Sequence, residues 1–386
     1  MLNEEKAGAL ALNTIFGYTP KISKSIIDAL GSASAVFKLS REELDELFGP
    51  YSKYREHITQ DALLQAEREL QRLDSEGIRF LSILDDDYPE ALRDCEDPPC
   101  GLYVRGQGGG KLLPHGAPAI SIVGTRDISP YGTQWCAKTV DAIARANAGA
   151  VIVSGLAIGV DITAHCAALD CGLPTIAVIP TGADAVYPRR HAGIAARIAA
   201  APGCALITDY PRGTAVQPVN FLRRNRIIAG LGRATVLIES KSKGGGTMTA
   251  RLAAGYGREV FALPGRIDDI RSEGCNLLIR EKLAEPLTSL PAFIQSLGLG
   301  HLEERKAPDI ALAVNLRFEK KVPQDTLTSL RTIARAVHSE RGVTSEQLCR
   351  ETGIPYPEVT VLLGMLETEG LVRADLLGRF SEEARF

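Results

Sequence analysis

AISIVG at residues 119–124 and AVIVSG at 150–155 decide how this 386-residue chain is read. Both are short, rich in β-branched residues and apolar on both faces of an extended chain. TIAVIP (175–180), ALITDY (205–210), ATVLIES (234–240) and EVFALPG (259–265) repeat the pattern, with helix-length segments between them. Strands buried on both faces belong in a parallel sheet covered by helices on each side, so the middle of the chain is expected to be an α/β domain. Ligands of such sheets bind beyond the carboxyl ends of the strands. The chemistry is therefore expected in GTRD, SGLAIGVD, PTGAD, DYPRG and ESKSKGGGT, each of which follows a strand.

Those loops narrow the choice of ligand. A dinucleotide site needs GxGxxG after the first strand, whereas this loop reads Gly124-Thr125-Arg126-Asp127 and the second strand ends Ser154-Gly155. A phosphate-binding P-loop needs a lysine after its glycines, and KSKGGGTMTA has none there. NAD and ATP are both disfavoured, and no cofactor is expected. What remains suits an anionic oxygen: the amides of Gly244, Gly245 and Gly246, the hydroxyls of Thr247 and Thr249, and the start of a helix, with Arg126 supplying charge from the neighbouring loop.

The charge pattern agrees. The chain carries a net charge of −3, too acidic for indiscriminate coating of nucleic acid. Yet between Asp209 and Glu259 the only acid is Glu239, against Arg212, Arg223, Arg224, Arg226, Arg233, Lys241, Lys243, Arg251 and Arg258. Within this block lies FLRRNRIIAGL (221–231). Read as a helix at about 100° per residue, it places Phe221, Leu222, Ile227, Ile228 and Leu231 on one apolar arc, with Arg223 and Arg226 opposite. Arg224 and Asn225 fall inside the arc, where a guanidinium and an amide need polar partners. The expectation is that these two brace the loops while Arg223 and Arg226 face outward.

An apolar fraction of 45% with 24% charged residues marks a soluble globular protein. The start, MLNEEKAGAL, lacks the pattern of an export signal, and no run approaches ~18 apolar residues, so a cytoplasmic protein without membrane contact is expected. Eight cysteines form no CxxC pair, and no structural metal is expected. Asp85, Asp86 and Asp87 read as an acidic turn before Pro89. Ser154, Asp161 and His165 include the residue types of a hydrolytic triad, but no GxSxG elbow surrounds Ser154. Asp161 and His165, at i and i+4, read more simply as a capping acid and a partly buried histidine, so no catalysis is expected.

IVGTR, SGLAIGVDITAH, TIAVIPTGADAVYP, FLRRNRIIAGL, GGGTMTA, REVFALPG and GCNLLI resemble, in order and spacing, the DNA-processing protein A family (DprA, also called Smf) from about residue 78 to 280. The resemblance implies an extended Rossmann-like core that binds single-stranded DNA, forms homodimers and hands the strand to the RecA recombinase during natural transformation, as a mediator and not an enzyme. It also implies a basic pocket made by the Arg126 loop and the glycine-rich loop, with the helix holding Arg224, Asn225 and Arg226 beside it. The chain departs from the family pattern at Gly244-Gly245-Gly246, usually Ser-Gly-Ser, and at Lys282-Leu283, usually Gly-Ala. Tyr131, Tyr187, Tyr210 and Phe221 are the aromatic candidates for stacking on bases, each expected to be core instead.

Around this core, expected at 78–290, the chain divides further. Residues 1–75 read as short helices resembling a sterile-alpha-motif-like domain, and residues 78–106 as a connecting segment. GQGGGKLLPHGAP and a charged stretch at 296–326 read as linkers. At 327–386 three helices precede a short β-wing, the pattern of a winged helix. Its second helix opens with a Thr344/Gln347 capping box, and its third has Glu358, Glu367 and Glu369 and no Lys or Arg. That charge favours a protein contact at least as much as groove reading. Two other readings remain. A phosphoribohydrolase of the LOG type shares the core and a PGGxGTxxE motif, but its catalytic glutamate falls at Ala250. A winged-helix transcription factor with a sensory core would bind specific duplex DNA.

Overall fold

The computed structural model describes residues 2–106, 111–114, 116–302, 310–339 and 342–383. The chain forms two compact units, residues 1–302 and 303–386. The first unit opens with helices α1 (Leu2–Phe16), α2 (Pro20–Leu30), α3 (Arg41–Phe48) and α4 (Gln60–Ser75). Ser40 and Glu43 cap α3 reciprocally, and the Thr59 hydroxyl accepts from the Ala62 amide at the start of α4.

The segment after α4, expected as a connection, extends the sheet instead. It forms β1 (Ile78–Ser82), the short helix α5 (Glu90–Arg93) and β2 (Gly101–Arg105). Then follow β3 (Ala119–Val123), α6 (Pro130–Ala146), β4 (Val151–Ser154), α7 (Val160–Asp170), β5 (Thr175–Val178), α8 (Ala192–Ala200), β6 (Ala205–Thr208), α9 (Pro218–Leu231), β7 (Ala234–Leu237), α10 (Gly245–Gly255), β8 (Glu259–Ala262), α11 (Glu273–Arg280), β9 (Glu285–Pro286) and α12 (Leu290–Ser296). The six runs read from the sequence are β3 to β8, all mutually parallel within one sheet of order β1-β2-β6-β5-β4-β3-β7-β8-β9. β2 joins it antiparallel to β6, and β1 antiparallel to β2.

Both faces of the sheet are covered, as its apolar strands require. On one face the core runs from Leu12, Phe16 and Leu73 of the N-terminal helices through Phe80 and Tyr103 to Val153, Ile207, Ile227 and Leu237. On the other, Ile120, Ile152 and Val236 pack with Val140 and Ile143 of α6, Ala164 of α7 and Phe293 of α12. The N-terminal helices thus share their core with the sheet. Asn13 Nδ2 donates to the Asp209 carbonyl at 2.8 Å, and Arg212 pairs with Glu76.

In the second unit, part of the expected linker is helical: α13 (Ile310–Phe318) inserts Ile310, Val314 and Phe318 into a core with Leu330 and Leu366. Residues 303–309 of that linker, and 107–110 and 115 of the glycine-rich one, lie outside the described residues. α14 (Gln324–Ser339), α15 (Ser345–Thr352) and α16 (Tyr356–Thr368) precede the hairpin β10 (Val372–Ala374) and β11 (Phe380–Glu382), an arrangement compatible with a winged helix. The Thr344/Gln347 capping box is present and α15 ends at Gly353 in the left-handed conformation. Among the described residues no helix is long and apolar enough to cross a membrane.

Gly155, which follows β4, must lack a side chain: a Cβ there would lie 1.7 Å from Arg224 Nη1 and 2.6 Å from Asp161 Oδ2. Both neighbours are buried and neither can swing away. Gly155→Ala is expected to lower stability by about 1–3 kcal/mol, read as a fall in the urea midpoint at unchanged slope.

Candidate nucleic-acid interface

The sheet order determines where a site can form. β3 and β7 are parallel neighbours, but β3 leads to β4 on one side and β7 to β8 on the other, so the loops leaving their carboxyl ends diverge. Such a switch point leaves a crevice. Here it is a cleft of about 730 Å³ lined by Gly124, Thr125 and Arg126 after β3, by Ser240, Lys241, Gly244, Gly245, Gly246 and Thr249 after β7, and by Phe221, Leu222, Arg224 and Asn225 of α9. Tyr187 closes it from the loop after β5, and Asp161 contributes from α7.

The Arg126 loop is held at both edges. The Thr125 amide donates to the Glu239 carbonyl at 2.6 Å, and the Val160 amide donates to the Thr125 carbonyl at 3.1 Å. Gly159 permits this approach: its φ is +85° and a Cβ there would lie 2.2 Å from the Thr125 oxygen. Arg126 itself is exposed, its guanidinium 4.9 Å above the ring of Phe221, which meets Tyr187 edge-on at 5.5 Å. The planar cation is thereby oriented without being neutralised.

Opposite stands the start of α10. The amides of Gly245 and Gly246 precede the first intrahelical bond and face the cleft with the positive end of the helix dipole. Gly246 comes so close to the Arg126 loop that a Cβ would lie 2.8 Å from Gly124 Cα. Lys241 and Lys243 are exposed on the same loop. The two threonines differ from expectation. Thr247 Oγ1 donates to the Lys241 carbonyl at 2.8 Å and Thr249 Oγ1 to the Gly245 carbonyl at 2.9 Å, so their protons hold the loop and helix and do not point at a ligand.

α9 divides the arginines differently from the helical-wheel reading. Arg224 is buried, with Nη1 donating to the Val178 carbonyl at 2.7 Å, and Asn225 lines the cleft beside it. Arg226 does not face outward. It is buried, paired with Asp209 at 2.6 Å and bonded to the Asp97 carbonyl. Arg223 is half-buried over the ring of Tyr18 from the N-terminal helices, at 4.3 Å, and is not part of the cleft lining. The face expected in solvent is covered by the N-terminal helices and the 78–106 segment, whose place in the sheet the helical period does not encode.

Ser154 is fully buried, its hydroxyl donating to the Ile122 carbonyl at 2.6 Å. Thr175 Oγ1 donates to the Ile152 carbonyl, so the 2.8 Å bond between it and His165 has His165 Nδ1–H as donor. Ser154, Asp161 and His165 therefore assemble no charge relay. Of the aromatic candidates, Tyr210 is core, whereas Phe221 is half-buried and Tyr187 exposed, both in the cleft lining. Tyr131 bonds the Pro264 carbonyl at 3.1 Å. The sequence reading missed Leu222 and Asp161 as lining residues and passed over exposed Arg189 and Arg190, two and three positions after the cleft residue Tyr187; a basic pair just after a strand-end loop was the available signal.

The family model for DNA recombination-mediator protein A matches residues 79–298. The chain belongs to that family. It is 31% identical over 395 residues to Protein Smf of Synechocystis, covering 96% of this chain and 97% of the relative. It is 40% identical over 200 residues to DNA processing protein DprA of Streptococcus pneumoniae, covering 52% and 68%. The X-ray structure of the S. pneumoniae protein matches with a TM-score of 0.54 at 32% identity, covering 68% of this chain and 92% of that one. A structure of DNA processing protein A from Helicobacter pylori, described for its single-stranded DNA binding mode, matches with a TM-score of 0.51 at 31% identity, covering 57% and 95%. The resemblance read from the motifs and the Rossmann-like core are both borne out.

The buried groups beneath the cleft give a pH test. Burial, reinforced by the positive charge of Arg224, pushes His165 down from 6.5 to about 3, so it stays neutral in the fold while the unfolded chain takes up a proton below 6.5. A lowered folded pKa means stability present above pH 6.5 and lost as pH falls towards 3, at up to about 1.4 kcal/mol per unit. Burial raises Asp161 and Asp209, which acts in the opposite sense at lower pH. Urea unfolding of wild type and His165→Gln between pH 7 and 5 isolates the histidine: only the wild type should carry its share of the slope.

Proposed function

We propose that this protein binds single-stranded DNA in the β3–β7 cleft and, as a homodimer, protects the strand and loads RecA onto it during natural transformation. The observation that carries the reading is an exposed, stacked Arg126 facing the open amides of Gly245 and Gly246 across one cleft. A phosphate between them would meet charge on one side and a helix N-terminus on the other. Phe221 and Tyr187 add an apolar wall suited to a base, which only an unpaired strand presents. The single-stranded DNA binding described for the H. pylori relative supports the choice of ligand. The LOG alternative is not favoured, since Ala250, buried where its glutamate would fall, offers no acid–base group.

Fluorescence anisotropy with single- and double-stranded oligonucleotides of equal length tests this. Single strands should bind more tightly, and Arg126→Ala should weaken binding severely while the protein stays folded. With Arg224 and Arg226 committed inside, Arg126, Lys241 and Lys243 supply about three phosphate contacts, so log K should fall with log salt at a slope of about −2, at ~0.7 per contact. Replacing both lysines should flatten the slope to about −0.7. Equal affinity for duplex would sink the strand preference, and a zero slope would leave stacking alone to hold the strand. Light scattering should give twice the chain mass; a monomer would remove the dimer.

A further inference from the structure

Three loops meet at the cleft, and one residue outside its lining ties them together through its side chain and its backbone carbonyl. Arg271 lies in the loop between β8 and α11. Its Nε donates to the Asp127 carbonyl at 3.0 Å and its Nη2 pairs with the Asp127 carboxylate at 3.0 Å. Its own carbonyl accepts the Ser240 amide at 2.7 Å, where the chain leaves β7. Its amide donates to Asp269 Oδ1 at 2.9 Å, and Nη1 lies 3.8 Å from the same oxygen. The loop is anchored in turn: the Asn276 side chain both donates to and accepts from Gly265, at 3.1 and 3.3 Å, and the Gly274 amide donates to the Ser240 carbonyl at 2.8 Å.

Asp127 is the residue after Arg126. A bidentate grip on both its carbonyl and its carboxylate fixes residue 127 and so limits the backbone freedom of its neighbour Arg126. The other restraints on this loop act at its two ends, through Thr125 upstream and through Ser129, whose amide and hydroxyl donate to the Glu239 carboxylate, downstream. Without Arg271, Asp127 itself, midway between these anchors, would keep the turn in which its amide donates to Thr125 Oγ1 at 3.1 Å.

We propose that Arg271 is a positioning residue for the strand-binding cleft, holding Arg126 in its stacked orientation through Asp127 without touching the nucleic acid. This inference rests on the cleft binding single-stranded DNA. It makes Asp127, an acid beside an anion site, a support for affinity: simple charge counting says that removing it strengthens binding, whereas positioning says the reverse.

The test is anisotropy with single-stranded oligonucleotide on the full chain, over a salt series. Arg271→Ala is expected to weaken binding roughly tenfold with the salt slope unchanged, since Arg126 still reaches its phosphate but must first be ordered to do so. Arg271→Lys should recover part of the loss, and Asp127→Asn should weaken binding. At low salt, adding Arg271→Ala to Arg126→Ala should cost little more. Arg271 is partly exposed, with 34% of its side chain accessible, and unchanged thermal midpoints would confirm that the variants fold. Wild-type affinity in Arg271→Ala, tighter binding in Asp127→Asn, a slope reduced by ~0.7, or full additivity with Arg126→Ala would each overturn the proposal. Failure of the wild type itself to bind single strands would instead overturn the reading of the cleft.

Discussion

A guanidinium beneath the cleft is the constraint around which the site is arranged. Arg224 reaches from α9 over Gly155 to the Val178 carbonyl, at the carboxyl end of β5. Burial and the proximity of Arg126 lower its pKa to about 10, opposed by Asp161, and it still carries its charge at neutral pH. Desolvating that charge is costly, and the carbonyl with the nearby carboxylate offsets the cost only if α9 lies across the ends of β4 and β5. That placement turns Phe221, Leu222 and Asn225 towards the β3–β7 crevice. The wall of the cleft and the cation under its floor thus follow from one buried side chain, and Gly155 is the residue that makes room for it.

The second buried arginine anchors the other side of the same helix. Arg226 pairs with Asp209 at the end of β6 and with the Asp97 carbonyl, while Asn13 donates to the Asp209 carbonyl. Asp209 is pushed up by burial and pulled down by Arg226, and the pair is enclosed by elements from three parts of the chain. The N-terminal helices therefore stabilise the orientation of α9 from behind, Tyr18 meeting Arg223 on the same side. Around the cleft, Arg126, Lys241 and Lys243 are exposed, on loops rather than on α9. Charge that must be accessible sits where the sheet ends, and charge that must be rigid sits inside the helix packing.

How far the sequence could be read follows from the range of each signal. β3 to β8 were legible because strands buried on both faces leave uninterrupted apolar runs, and the cleft loops because ligands of parallel sheets gather at strand ends. β1 and β2 were not: in IRFLS and GLYVR an arginine interrupts or ends the apolar run, and the place of β2 beside β6, with β1 outside it, depends on pairing with residues about a hundred positions away. The same long-range packing decided Arg223 and Arg226. A helical wheel reports which residues share a face, but not that a second layer covers the supposedly free one. Thr247 and Thr249 were misread for a local reason, since a hydroxyl in the first turns of a helix can satisfy a nearby carbonyl as readily as face a ligand. Arg271 carried no signal, because its role lies in a contact with Asp127, 144 residues earlier.

Glu239, the one acid inside the basic block, shows how a net charge of −3 is reconciled with an anion site. Its carboxylate is buried and accepts both the amide and the hydroxyl of Ser129, the residue that caps α6. A carboxylate at a helix N-terminus is balanced by the helix dipole and by the hydrogen bonds it accepts. Its field is spent on α6 rather than on the cations of the cleft. Asp127 is restrained comparably by Arg271 and Asp209 by Arg226. The acids nearest the cleft cations in sequence thus have partners of their own, while among the described residues no ion pair neutralises Arg126, Lys241 or Lys243. The local potential is therefore set by which charges are left unpaired, and the sign of the whole chain has little bearing on it.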